Sequence, residues 1–222
     1  MTESSPPDHG AYPPGFPPDR CALYLAGSEG APPREHLVRA LAQFSPRSAH
    51  ARPRALDVGC GPGRESLYLA QQGFDVVAFD PYPEMLQRAA ALLASEPSAG
   101  EVRLERATLE AYAPTLDDAG FDLVHAGFVL PFVLPGRFDE CFSHLTRCLR
   151  TGGVFCGQFF GPQDEFIRSA ATGTMSCHDR ADLERMLEPF EILEIEEVNR
   201  QGKIGRGREK WWHVFHVTAR RH

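Results

Sequence analysis

The chain is poor in the features that mark several large protein classes, and each gap removes one. Its cysteines, Cys21, Cys60, Cys141, Cys148, Cys156 and Cys177, include no CxxC pair and no Cys/His set at zinc-ligand spacing. No metal is therefore expected. Cys60, Cys148 and Cys156 fall in apolar stretches, where a free thiol behaves as a small hydrophobe. Reduced thiols suit a cytoplasmic protein. No apolar run is long enough to span a bilayer, so no membrane partner is expected. The opening residues MTESSPPDHG have neither a basic nor an apolar leader region, so no secretory signal is expected. Positive charge is in deficit: 23 Lys and Arg stand against 30 Asp and Glu, a formal net charge of -7. An acidic surface repels phosphate backbones, so no nucleic-acid partner is expected.

What is present suits one α/β domain. The chain has 222 residues, 42% of them hydrophobic, enough to build a single core. Six prolines lie among the first 18 residues, which bars helix and central strand there. Residues 1–18 are expected to be a flexible arm, 19–53 a helical cap that folds over a ligand as a lid, and 54–222 the core. A helix is expected from Arg34 to Phe44. From Arg54 onward strands and helices alternate: strands over Arg54–Gly59, Phe74–Phe79, Val102–Glu105, Phe121–Ala126 and Val154–Phe160, and helices over Gly63–Gln72, Pro83–Ala94 and Arg137–Arg150, the last stopped by Gly152 and Gly153. After Gly161 come a loop or short helix to Cys177, a helix over Arg180–Leu187, and strands over Phe190–Val198 and Trp212–Ala219. This order predicts a Rossmann-like doubly wound, mostly parallel seven-stranded sheet with a C-terminal antiparallel hairpin.

The strongest local signal is Leu56-Asp-Val-Gly-Cys-Gly-Pro-Gly63 at a strand-to-helix junction. Gly59, Gly61 and Gly63 permit a tight turn and close ligand approach, and the following helix offers free N–H groups. A dinucleotide fingerprint needs glycine at 64, where this chain has arginine, so a ligand with a carboxylate and a nucleoside fits better than a pyrophosphate. Asp80 ends the second strand, placed to accept from both hydroxyls of a ribose, and Asp57 lies near the same edge.

The run Ala55-Leu-Asp-Val-Gly-Cys-Gly-Pro-Gly-Arg-Glu-Ser66, followed by Phe79-Asp80, resembles the class I S-adenosylmethionine-dependent methyltransferases. The resemblance implies that Gly59, Gly61 and Gly63 hold the methionine part of S-adenosylmethionine and that Asp80, with Pro81 beside it, holds the ribose. It implies that Met85 packs on adenine. Thr108 stands where the family commonly has an acid, leaving the Leu109 backbone for adenine. The ending Trp211-Trp-His-Val-Phe-His-Val-Thr-Ala219 looks like bacterial tellurite-resistance and thiopurine-type small-molecule methyltransferases.

A small-molecule acceptor with an S, O or N nucleophile is the leading class, in a monomer or homodimer. The fourth-strand edge, His125-Ala-Gly-Phe-Val-Leu-Pro-Phe132, lacks the Asn-Pro-Pro-aromatic run of enzymes that methylate adenine in DNA or glutamine in proteins. His125 is the candidate base or polar substrate contact, against a structural reading as a hydrogen-bonded core histidine. Gly127 is expected to line the cofactor pocket, and Tyr24, Phe128 and Phe160 the acceptor pocket, with at most one of Phe159 and Phe160 facing it. His213 and His216 point to opposite faces of one strand, so they cannot form a simple metal pair. Lys203, Arg206, Arg208 and Lys210 read as a solvated hairpin loop rather than a clamp for an anionic substrate. Two rivals stand beside the enzyme: a non-catalytic cofactor-binding or interaction module, and a nicotinamide dehydrogenase, which Arg64 and the terminal hairpin oppose.

Overall fold

Seven strands line up in the order β3-β2-β1-β4-β5-β7-β6. They are β1 Arg54–Val58, β2 Asp75–Asp80, β3 Val102–Arg106, β4 Phe121–Ala126, β5 Leu149–Phe160, β6 Phe190–Lys203 and β7 Glu209–Arg221. The first five run parallel, and β7 is antiparallel to both β5 and β6. The helices are α1 Glu35–Ala42, α2 Arg64–Gln71, α3 Pro83–Ser95, α4 Leu109–Tyr112, α5 Pro135–Cys148, α6 Glu165–Ser169 and α7 Arg180–Met186. A computed structural model describes residues 13–16, 24, 25, 27, 30–45, 52–204 and 207–222. Most of the predicted arm, part of the helical cap read over 19–53, and Arg206 lie outside the described residues.

Burial explains the strand runs. All six residues of β4 are buried, as are four of five in β1, because helices cover both faces. One face carries Leu145, Phe138 and Leu183 of α5 and α7 against Leu56, Val124 and Phe155. The other carries Leu37 and Ala40 of α1 and Leu69 of α2 against Ala55, Leu123 and Cys156. α1 is therefore part of the packed sheet face. Chain order reverses between β1 and β4, so a crevice opens outside their carboxyl ends, the place where open α/β sheets bind ligands.

Two boundaries differ from the sequence reading. Gly152 and Gly153 do not end α5, which stops at Cys148. They sit in β5 where its register against β4 slips, Leu149 facing Phe121 and Val154 facing Leu123. The bulge needs a residue at φ 76, which Gly152 supplies without a Cβ penalty. The hairpin is also longer than read, since Asn199 to Lys203 pair with His213 to Glu209. Backbone ladder bonds extend there through residues whose polar side chains look like loop.

Candidate functional site

At the end of β1 the chain turns through Gly59, Gly61 and Gly63 with φ of 64, 54 and 84, values that favour glycine. Their surroundings divide them. A Cβ on Gly61 would project toward Tyr24 and Met85, 3.5 and 4.0 Å away, and one on Gly59 would strike Val129. Both residues line the cavity described below, and the bare Gly61 backbone leaves a cradle that a side chain would fill. Gly63 faces the other way: its Cβ would lie 2.8 and 2.9 Å from Cβ and Cα of Ala89, so it lets α2 sit against α3. Gly63→Ala combines left-handed strain of about 1–2 kcal/mol with overpacking of about 1 kcal/mol or more. A loss of about 2–3 kcal/mol in urea unfolding is the expected result, and an unchanged midpoint would contradict this packing role.

Asp80 closes the turn from β2. Its Oδ2 accepts the Gly61 N–H and its Oδ1 the Tyr82 N–H, both at 3.0 Å. Burial raises its carboxyl to about 6, against the downward pull of the Tyr82 and Gly61 N–H groups. Each carboxylate oxygen keeps a further acceptor site. Thr108 caps α4, its Oγ1 accepting the Ala111 N–H at 3.3 Å.

These groups border one cavity of about 970 Å³, near the top of the size range for ligand sites and roomy enough for two small ligands. The structure brings together on its wall Gly59, Gly61, Asp80, Pro81 and Met85, then Thr108, Leu109 and Gly127, and also Tyr24, Phe128 and Phe160. Phe159 turns into the core instead. Phe16, the described aromatic of the arm, contacts Phe132 at a centroid distance of 5.1 Å and lines the same cavity.

Asp57, Gly63 and His125 are not on that wall. Asp57 and His125 face each other in register across β1 and β4, where Asp57 Oδ1 meets His125 Nδ1 at 2.8 Å and Asp57 Oδ2 accepts the Ser66 hydroxyl at 2.5 Å. Both side chains are buried, and His125 Nε2 has no hydrogen-bond partner among the described residues. The imidazole lies behind Gly127, whose Cβ would stand 2.6 Å from its Cε1. Edge position alone suggested contact with substrate; the pairing with Asp57 turns the ring into the sheet face.

Other features of the site carried no sequence signal. Phe128 adopts φ 59, a strained value for a non-glycine residue, and is held by its N–H donating to Oε1 of the fully buried Gln158 at 3.1 Å. Arg34 lies over the Phe128 ring, 4.7 Å from its centroid, and donates to the Tyr24 hydroxyl at 3.0 Å. The hairpin cations are not a uniformly solvated loop. Lys203 is exposed on the cavity rim and Arg208 pairs with Glu165 at 2.5 Å, but Lys210 is 1% exposed and donates to the fully buried Asp164. The Lys210 ammonium sits 3.8 Å from the ring centroid of Trp212 and 4.2 Å from that of Phe166. Burial lowers its pKa, and the Asp164 partner opposes that shift.

Thiol chemistry finds no support at the site. Burial pushes the Cys60 thiol in the glycine turn well up, and the Asp57 and Asp80 carboxylates add to the effect. Among the described residues there is no cluster of His, Cys, Asp and Glu fit to hold a metal, and no helix long and apolar enough to cross a membrane.

A glycine turn after β1, an acid at the end of β2 and a crevice over the β1/β4 switch point, in a sheet whose β7 runs in reverse, define a Rossmann-like class I methyltransferase domain. Residues 55–153 match the methyltransferase domain family, and the fold is that of the S-adenosylmethionine-dependent methyltransferases. Over 105 residues it is 32% identical to an uncharacterized methyltransferase of Synechocystis, covering 46% of this chain and 44% of that protein. The chain thus spans less than half the length of that relative. In structure it is similar to TehB from Haemophilus influenzae, with TM-score 0.68, 19% identity, and 85% of this chain and 62% of that one covered. It is also similar to the 1,6-didemethyltoxoflavin-N1-methyltransferase of Burkholderia thailandensis, with TM-score 0.62, 20% identity, and 99% and 93% covered. At such identities these likenesses concern the fold.

Proposed function

We propose that the chain transfers a methyl group from S-adenosylmethionine to the S, O or N nucleophile of a small molecule by in-line displacement. The observation that carries this reading is the buried Asp80 carboxylate beside the bare Gly61 backbone on one wall of an aromatic-lined cavity. When bound, the sulfonium supplies a methyl group that is already electrophilic. Asp80 would accept the ribose hydroxyls, Met85 and Leu109 would flank adenine, and Gly61 would let the methionine part approach. Phe128, Phe132, Phe160 and Trp212 would exclude water and orient the acceptor. Such positioning supplies on the order of 7–11 kcal/mol of the barrier, so a thiol acceptor would need little more.

A phenol or amine acceptor gains about 10²–10⁴-fold from a base. Paired with Asp57 and off the cavity wall, His125 would brace β1 against β4 rather than touch the acceptor, so we assign it a positioning role. His125→Asn keeps a side chain of similar reach and should hold kcat/KM within about 10-fold, well short of the loss on removing a base. A loss of 10³-fold, with disappearance of a basic limb in the pH profile, would make His125 the base instead.

The direct test is turnover on a panel of aromatic thiols, phenols and amines, with release of S-adenosylhomocysteine as the readout. Methylation of one class supports the enzyme. Tight cofactor binding without turnover on any acceptor would favour the rival reading, a cofactor-binding interaction module.

A further inference from the structure

A second concavity lies beside the cavity. It is a groove of about 520 Å³ between α1 and the β6–β7 hairpin, and it shares Arg34, Phe128, Lys203 and Trp212 with the main cavity, so the two adjoin. Its charge is opposite to that of the molecule. On a chain of net charge -7, the groove presents Arg34, Arg39, Arg200 and Lys203 against Glu35 and Glu196. Arg39 is engaged by Glu35, Glu194 and Glu196. Arg200 and Lys203 form no ion pair with an acid among the described residues, and Arg34 stands over Phe128 at the junction.

Arg34 is also paired, with Glu65 at 3.6 Å, which leaves Arg200 and Lys203 to meet an anion. The floor adds a neutral donor. The Phe128 N–H fixes the Gln158 amide by donating to its Oε1, so Gln158 Nε2 donates to Nδ1 of His36 at 2.7 Å and of His216 at 3.4 Å. Both imidazoles must then carry their hydrogen on Nε2. That of His36 goes to Thr218 Oγ1 at 3.2 Å, while that of His216, which lines the groove, has no partner among the described residues. Burial lowers the pKa of both rings, His36 to about 3, which keeps them neutral near pH 7.

We propose that this groove is an anion subsite of the acceptor site, so that the methyl acceptor is an aromatic or apolar molecule bearing a carboxylate or phosphate at the end away from its nucleophile. The reacting end lies among the cavity aromatics. The anion is met by the forked guanidinium of Arg200, by Lys203 and by the His216 Nε2–H, donors suited to anionic oxygens. The wall over Phe128 and Trp212 joins the two ends. The inference rests on the methyltransferase reading and names its substrate class.

The experiment is calorimetric titration of protein saturated with S-adenosylhomocysteine, using 4-phenylbutyrate and its uncharged counterpart 4-phenylbutanamide as probes. The acid should bind about tenfold more tightly, a difference of about 1.4 kcal/mol. In the R200Q/K203Q double variant, both positions being exposed, the preference should fall to about twofold with the unfolding midpoint unchanged. Equal affinity of the two probes, binding of neither, or a preference that persists in the variant would overturn the subsite. Inorganic phosphate binding as tightly as 4-phenylbutyrate would make the groove a free-anion site and overturn the acceptor assignment. Titration with S-adenosylhomocysteine alone separates the two levels: its binding without the acid preference defeats the subsite only, and its failure to bind defeats the methyltransferase reading.

Discussion

Replacing Asp80 with alanine should weaken S-adenosylmethionine binding by about 10²–10⁴-fold. Two ribose hydroxyls donating to a buried carboxylate contribute about 1.5–3 kcal/mol each. The variant also frees the Gly61 and Tyr82 N–H groups that Asp80 now accepts, so the turn itself loosens. Asp80→Asn retains one acceptor oxygen and should lose less. The pH dependence follows from the raised carboxyl. Burial holds Asp80 at about 6 in the folded protein, above its unfolded value near 3.9. Between those values the folded state binds more protons than the unfolded one, so this group's contribution to stability falls as pH rises from about 4 to 6. Ribose hydroxyls favour the ionised form. Cofactor affinity should therefore weaken as pH falls through 6, and binding near pH 6 should release protons. Calorimetry in buffers of different ionisation enthalpy measures that release, and none would mean that Asp80 does not meet the cofactor.

Lys210→Met should destabilise the fold by about 3–5 kcal/mol, because it leaves the Asp164 charge buried without its cation. Among the described residues, Asp164 would keep only the N–H donors of Phe166 at 2.9 Å and His213 at 3.1 Å. The aromatic cage of Trp212, Phe166 and Phe160 would also lose its cation, worth up to about 2 kcal/mol where desolvated. The double variant Lys210→Met, Asp164→Asn should recover much of the loss, since neither charge is then stranded. Urea unfolding of the two singles and the double measures the coupling. Equal stability of Lys210→Met and the parent would show that the pair adds nothing.

Much of the cavity wall around the glycine turn was legible in the sequence because its signals are local. Gly59 and Gly61 lie at a strand-to-helix turn, Asp80 ends the next strand, and short-range spacing fixes both. The roles of Gly63, Asp57 and His125 were harder to read, because each depends on a neighbour distant in sequence: Ala89 for the first, and the β1–β4 register that pairs the other two. Lys210 shows the same limit. Four cations spread among glycines look like solvated loop, but strand parity was available as a signal. Lys210 alternates with Trp211 and shares a strand face with Trp212 and Val214, two residues packed near the cavity. The Gln158–His36–His216 network needed α1 to be seated on β5 and β7, contacts spanning 122 and 182 positions of sequence separation, beyond the reach of any periodicity.

The central claim is that this site holds S-adenosylmethionine. Calorimetric titration of the purified chain with S-adenosylmethionine and S-adenosylhomocysteine tests it most directly. Saturable binding of both at one site per chain, lost in Asp80→Ala, is the expected result. A flat titration with both ligands, from protein that unfolds cooperatively, would contradict it.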